Sequence, residues 1–120
     1  MRKPRIYVAG PLTGPAHQQN VEAAIKTGDI LLTMGFHPFV PHLDDFWHAR
    51  YPHDYETWME WDFSWLDCCD VLYRMPGESA GADREVARAK AYMVPVLKSF
   101  EAAGGYLACW KVEQEALEDR

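Results

Sequence analysis

The run Arg5-Ile6-Tyr7-Val8-Ala9-Gly10-Pro11 (RIYVAGP) decides the fold class. Four apolar residues follow Arg5 without alternation and stop at a Gly-Pro breaker, which predicts a short strand covered on both faces, as in a parallel sheet. A helical pattern comes next, from about Gln19 to Met34, with Val21, Ala24, Ile25, Gly28 and Leu32 on one stripe and Gly35 as its stop. The alternation then repeats. Strands are expected at Phe36 to Val40, Val71 to Met75 and Pro95 to Lys98, the first two cut off by Pro41 and by Pro76-Gly77. Helices are expected from Asp54, as N-cap, to Cys69, from Gly81 to Tyr92, and from Tyr106 to Leu117. The segment His42 to Pro52 has no clean period and reads as a loop rich in aromatic and acidic residues. Right-handed crossovers fold such a chain into a three-layer α/β sandwich, flavodoxin-like or Rossmann-like, with a short parallel sheet in the order 2-1-3-4.

The 120 residues contain no repeat or linker and are read as one domain, and 48% hydrophobic with 25% charged residues excludes a disordered chain or a disulfide scaffold. No apolar run reaches the roughly 18 residues of a membrane span, and the first residues lead straight into a strand, so a cytoplasmic protein without a membrane partner is expected. Cys68 and Cys69 are adjacent and Cys109 stands alone, so all three read as small core hydrophobes. The net charge of -6 is concentrated between Asp44 and Asp70, where eight acids face one base, Arg50. That argues against a nucleic acid polymer as partner and leaves a small molecule open.

In a sheet of this order, ligands bind beyond the carboxyl ends of strands one and three. The loops there are Gly10-Pro11-Leu12-Thr13-Gly14 and Pro76-Gly77-Glu78-Ser79-Ala80-Gly81. The second feeds a helix N-terminus that favours anions. Neither is a dinucleotide or triphosphate fingerprint, and both also suit plain tight turns. Asp62 falls near the centre of the stripe Tyr55, Trp58, Met59, Leu66 and Cys69. An ionisable group there costs several kcal/mol, of order, unless it faces a cavity or pairs with backbone or an Arg. Glu85 flanks the stripe Ala82, Val86, Ala89 and Met93 in the first turn, where the helix dipole favours a carboxylate; it is either a nucleophile or a surface partner of Arg88. Asp83 is assigned to the helix start. Two carboxyls converging on a crevice suit glycosidic chemistry, with their separation deciding the route. His37, His42, His48 and His53 match no zinc spacing, so no metal is expected. Trp47 and Tyr51 either stack on a ligand ring or pack.

Three motifs together resemble the nucleoside 2-deoxyribosyltransferase superfamily: Tyr7-Val8-Ala9-Gly10-Pro11; Asp62-Phe63-Ser64-Trp65-Leu66 leading to Cys69-Asp70-Val71; and Ser79-Ala80-Gly81-Ala82-Asp83-Arg84-Glu85 followed by Ala89. The chain is most similar there to small bacterial and phage members and to the 2'-deoxynucleoside 5'-monophosphate N-glycosidases, over roughly Ile6 to Val96. The resemblance implies a hydrolase or transferase of the N-glycosidic bond of a nucleoside or nucleoside 5'-monophosphate, without metal or organic cofactor. It implies Glu85 as the nucleophile at C1', Asp62 as the group assisting proton transfer, and Tyr7 as the residue orienting the nucleophile. Gly10, Pro11, Thr13, Ser79 and Gly81 would bind substrate, with Ser79 meeting the sugar's 5' group. The Ser favours a 5'-phosphate, whereas Thr13 stands where the nucleotide hydrolases carry Arg. A homo-oligomer is implied as well, a neighbouring subunit or the aromatic segment supplying the lid. The competing expectations are a non-catalytic nucleotide- or nucleoside-binding module and an interaction protein using its acidic, Trp-rich middle.

Overall fold

In the computed structural model, which describes residues 2–119, β1 (Arg5–Ala9) is the inner strand from which the molecule is organised. It pairs in parallel with β2 (His37–Phe39), Tyr7 opposite Phe39, and with β3 (Val71–Arg74), Ile6 opposite Val71. β4 (Val96–Leu97) continues the sheet beyond β3, giving the all-parallel order β2-β1-β3-β4 that the sequence predicts. Ile6, Tyr7, Val8 and Ala9 are all fully buried, which is why the strand shows no apolar-polar alternation.

Successive residues of β1 point into opposite layers. Ile6 and Val8 join Val71 and Tyr73 under α1 (His17–Met34) and α5 (Phe100–Glu118), packing on Ala24, Leu31, Ala103 and Leu107. Tyr7, Ala9 and Leu72 pack on Leu66 of α3 (Tyr55–Leu66) and on Ala82 and Ala89 of α4 (Ala80–Ala91). The α/β sandwich therefore has three layers. Gly28 of α1 is fixed by packing: a Cβ there would lie 2.6 Å from Val40 Cγ2.

Several expected boundaries shift. The α1 face against the sheet is Ala24, Gly28 and Leu31, while Ile25 and Leu32 are exposed, so the inward stripe runs one residue earlier at its end than the sequence pattern indicates. The expected loop at 42–52 holds a 3-10 turn (Pro41–Asp44) and a short helix, α2 (Asp45–Arg50); none of the residues of α2 is buried, so no apolar stripe betrays it. Asp54 does cap α3, its Oδ1 accepting the Thr57 N–H at 2.8 Å. That helix ends at Leu66 rather than Cys69, because the N–H groups of Cys68 and Cys69 turn back to Trp65 and Leu66, tightening the last turn. α5 begins at Phe100 instead of Tyr106, with Ser99 Oγ accepting the Ala102 N–H at 3.0 Å; Gly104-Gly105 hid this start.

The cysteines are not core residues. Cys68 sits in the exposed turn after α3, Cys109 is on an exposed face of α5, and only Cys69 is half-buried. Met93, assigned to the α4 stripe, lies past the helix end with φ 61° and is exposed. Among the described residues, no helix is long and apolar enough to cross a membrane.

Candidate active site

The carboxyl ends of β1 and β3 deliver the two glycine-bearing loops side by side. Gly10 is required there, since a Cβ on it would stand 2.8 Å from Met75 Sδ at the end of β3. A cavity of about 690 Å³ opens between the loops, within the size range of small-molecule sites. Gly10, Pro11, Thr13, Ser79, Gly81, Asp62 and Glu85 all line it, so seven of the eight nominated residues meet at one place. The eighth, Tyr7, lies beneath. It is fully buried and its hydroxyl donates to Glu85 Oε2.

Local structure explains each placement. Ser79 is the N-cap of α4: its Oγ accepts the Ala82 N–H at 3.1 Å, which leaves its one proton available to the cavity. Glu85 follows on the second turn, because α4 begins at Ala80. The dipole that would favour its ionised form acts mainly over the first turn, so burial decides instead. Glu85 is 5% exposed, and burial raises its pKa against the opposing pull of hydrogen bonds from Tyr7 and Asp62. Nor is Arg88 its partner; that guanidinium holds Asp67 at 2.7 Å.

Asp62 occupies the inward stripe of α3 beside Met59 and Leu66, and its Oδ1 has no hydrogen-bond partner. Burial raises its pKa first and the charge of Glu85 raises it further. The alternative of a buried Asp satisfied by backbone or Arg is not what the structure holds. Two facing acids of this kind keep one proton between them at neutral pH, and the proton belongs to the pair. Tyr7 has its own pKa raised well above the phenol value, by burial and then by Glu85, so it stays a donor throughout the working range.

Sequence reasoning missed the third wall. His42, just past β2, is 3% exposed, and its Nε2 lies 3.2 Å from the Gly10 carbonyl oxygen and 3.1 Å from that of Pro11. Those acceptors place the proton on Nε2, while burial lowers the pKa and keeps the ring neutral. The carboxyl of Asp44, also on the cavity, is pushed up to about 6 by burial. His17 joins α1 to α2: its Nδ1 is 2.8 Å from the Leu12 carbonyl oxygen and its Nε2 2.7 Å from Asp45 Oδ1, and these contacts raise its pKa. The available signal was that the carboxyl end of β2 opens on the same side as those of β1 and β3. Trp58, assigned to the core, instead lines the cavity and donates from Nε1 to His48 Nδ1 at 2.8 Å. Trp47 packs edge-on against Trp58 with centroids 5.2 Å apart and does not line the cavity; Tyr51 is exposed. Asp83 pairs with Arg74 at 3.2 Å. Among the described residues, no cluster of three or more His, Cys, Asp or Glu is placed to hold a metal ion.

A family model described as "Domain of unknown function (DUF4406)" matches residues 4–98, a span that contains β1 to β4 and every residue nominated for the site. No curated protein sequence matches the chain.

Proposed function

The chain belongs to the DUF4406 domain family, and from that premise and the chemistry of the cavity we propose that it cleaves or exchanges the N-glycosidic bond of a nucleoside or nucleoside 5'-monophosphate. The family is related to the nucleoside 2-deoxyribosyltransferase-like fold, which agrees with the motifs around Tyr7, Asp62 and Glu85. The observation that carries the proposal is the buried set Tyr7, Glu85 and Asp62, one donor and two carboxyls sharing a proton, at the ligand-binding end of a parallel sheet.

In this reading the ionised Glu85 attacks C1' of the sugar. The bond from C1' to the base nitrogen breaks as the bond to the Glu85 oxygen forms, and the departing base takes the proton from Asp62. Water then attacks C1', gives a proton to the Asp62 carboxylate and releases Glu85; a second base in place of water makes the enzyme a transferase. Tyr7 touches no substrate and acts by orienting Glu85. General-acid help of the kind assigned to Asp62 is worth about 10²- to 10⁴-fold in rate. A cytoplasmic homo-oligomer whose neighbouring subunit helps close the cavity belongs to the same reading, and light scattering tests the oligomer.

The test is release of free base from a panel of nucleosides and nucleotides. Activity that disappears in Glu85→Ala supports the mechanism, and full activity in that variant overturns it. Saturable ligand binding without product after long incubation supports a binding module instead.

A further inference from the structure

The proposed chemistry is indifferent to what the sugar carries at its 5' position, but the cavity wall is not. Asp44, Asp45, Asp62, Glu78 and Glu85 line the cavity, whereas among the described residues no Lys or Arg does. Not all five are bare charges: Asp45 Oδ1 lies 2.7 Å from His17 Nε2, and Asp62 and Glu85 form one proton-sharing pair. Asp44, Glu78 and the net negative charge of the Asp62–Glu85 pair remain. The guanidinium of Arg74 does not line the cavity: it donates to the Gly77 carbonyl oxygen at 3.0 Å and meets the exposed Asp83 at 3.2 Å, and its charge reaches the cavity only through its pull on Glu85. Of the histidines on the cavity, His17 is taken up by Asp45, His42 is held neutral by burial and His48 Nδ1 accepts from Trp58 Nε1.

Two features favour an anion, the first N–H groups of α4 and the Ser79 hydroxyl. A helix N-terminus is equivalent to about half a positive charge, which does not offset three carboxylates. We propose that this site selects nucleosides with a free 5'-hydroxyl over the corresponding 5'-monophosphates, an inference that rests on the glycosidic reading above. A 5'-hydroxyl both donates and accepts, so it can give its proton to Glu78 and take one from Ser79 at the start of α4. A phosphate dianion only accepts and is repelled by Glu78. The Ser at position 79 therefore serves a neutral group here, against the expectation drawn from the resemblance.

Base release from paired 2'-deoxynucleosides and their 5'-monophosphates, at pH 8 and low salt, tests this. The expected kcat/KM is at least about tenfold higher for the nucleoside. The gap narrows several-fold in high salt and in Glu78→Gln, because screening and removal of one carboxylate both relieve the monophosphate. A monophosphate cleaved as well as or better than its nucleoside overturns the selectivity and leaves the glycosidic reading standing. If neither is cleaved, calorimetry with the same compounds separates the two claims: tighter nucleoside binding upholds the selectivity while the chemistry fails, and tighter monophosphate binding or no binding overturns the selectivity as well.

Discussion

Replacing Asp62 by Asn should make the protein more stable at pH 8 while leaving it little changed at pH 5. Asp62 and Glu85 are buried and both have raised pKa values in the folded chain, whereas an unfolded carboxyl titrates near 4. The native state therefore holds protons that the unfolded state has released. The stability this confers is complete below about pH 4 and is lost as pH rises through the raised values. One extra native proton changes stability by about 1.4 kcal/mol per pH unit, so from pH 5 to 8 the ceiling for Asp62 alone is about 4 kcal/mol. Asp62 borders a cavity open to water, and hydration halves that to about 2 kcal/mol. Asn at 62 removes this titration and the like charge beside Glu85. The buried Glu85 and Asp44 still titrate in the variant, so its stability also falls over this range, but by about 1 to 2 kcal/mol less than that of the natural chain, which is its advantage at pH 8. Urea titrations followed by tryptophan fluorescence at pH 5, 6, 7 and 8 measure the difference directly. Contributions of Asp44, His17 and His42 are common to both proteins and cancel to first order. A flat profile for the natural chain, or a variant less stable than it at pH 8, would refute the shared-proton account.

Gly28→Ala gains about 1 kcal/mol of helix propensity but forces a methyl to within 2.6 Å of Val40 Cγ2; a net loss of about 1 to 3 kcal/mol is expected in a denaturant titration. Ser79→Ala should cost about 1 kcal/mol through the lost cap on α4, and Ser79→Gly only a few tenths, a ranking that thermal melts resolve. Tyr7→Phe removes the donor to Glu85, so the acid limb of the kcat profile should move to higher pH with little change in KM; an unmoved limb would show that Tyr7 does not tune the nucleophile.

Much of this could be read in the residues because β1 and β3 are continuous apolar runs with abrupt Gly or Pro ends. Strand identity and parallel order follow from those runs and from the crossover rule, and the order in turn locates the cavity. Asp62 was recognisable as a charge in an apolar stripe. Other features were hidden for physical reasons. α2 is too short, and too exposed, to carry a period. Leu31 and Leu32 are equally apolar, and only packing against the sheet selects Leu31 as the buried one. Trp58 has the spacing of a core residue, but its ring borders the cavity, packed edge-on against Trp47 and bonded to His48 of α2, partners that no periodicity announces. His42 takes its meaning from the carbonyls of Gly10 and Pro11, more than 30 positions away in the chain.

The inner position of β1 has a consequence for biosynthesis. Of the four strands of this sheet it is the first to be synthesised, yet its partners end at Phe39 and Arg74. At about 5 to 20 residues per second, the nascent chain takes about 3 to 13 s to extend from Ala9 to Arg74. Until β2 is made Ile6, Tyr7, Val8 and Ala9 are wholly unpaired, and until β3 follows they keep one open edge, a β-prone segment of the sort that nucleates aggregation, flanked by charges at Arg2, Lys3 and Arg5. Arg2 also holds Asp70 at 2.7 Å in the finished fold, so the test is at Lys3 and Arg5: if they guard the strand during synthesis, neutral substitutions there should lower soluble yield more than they lower stability.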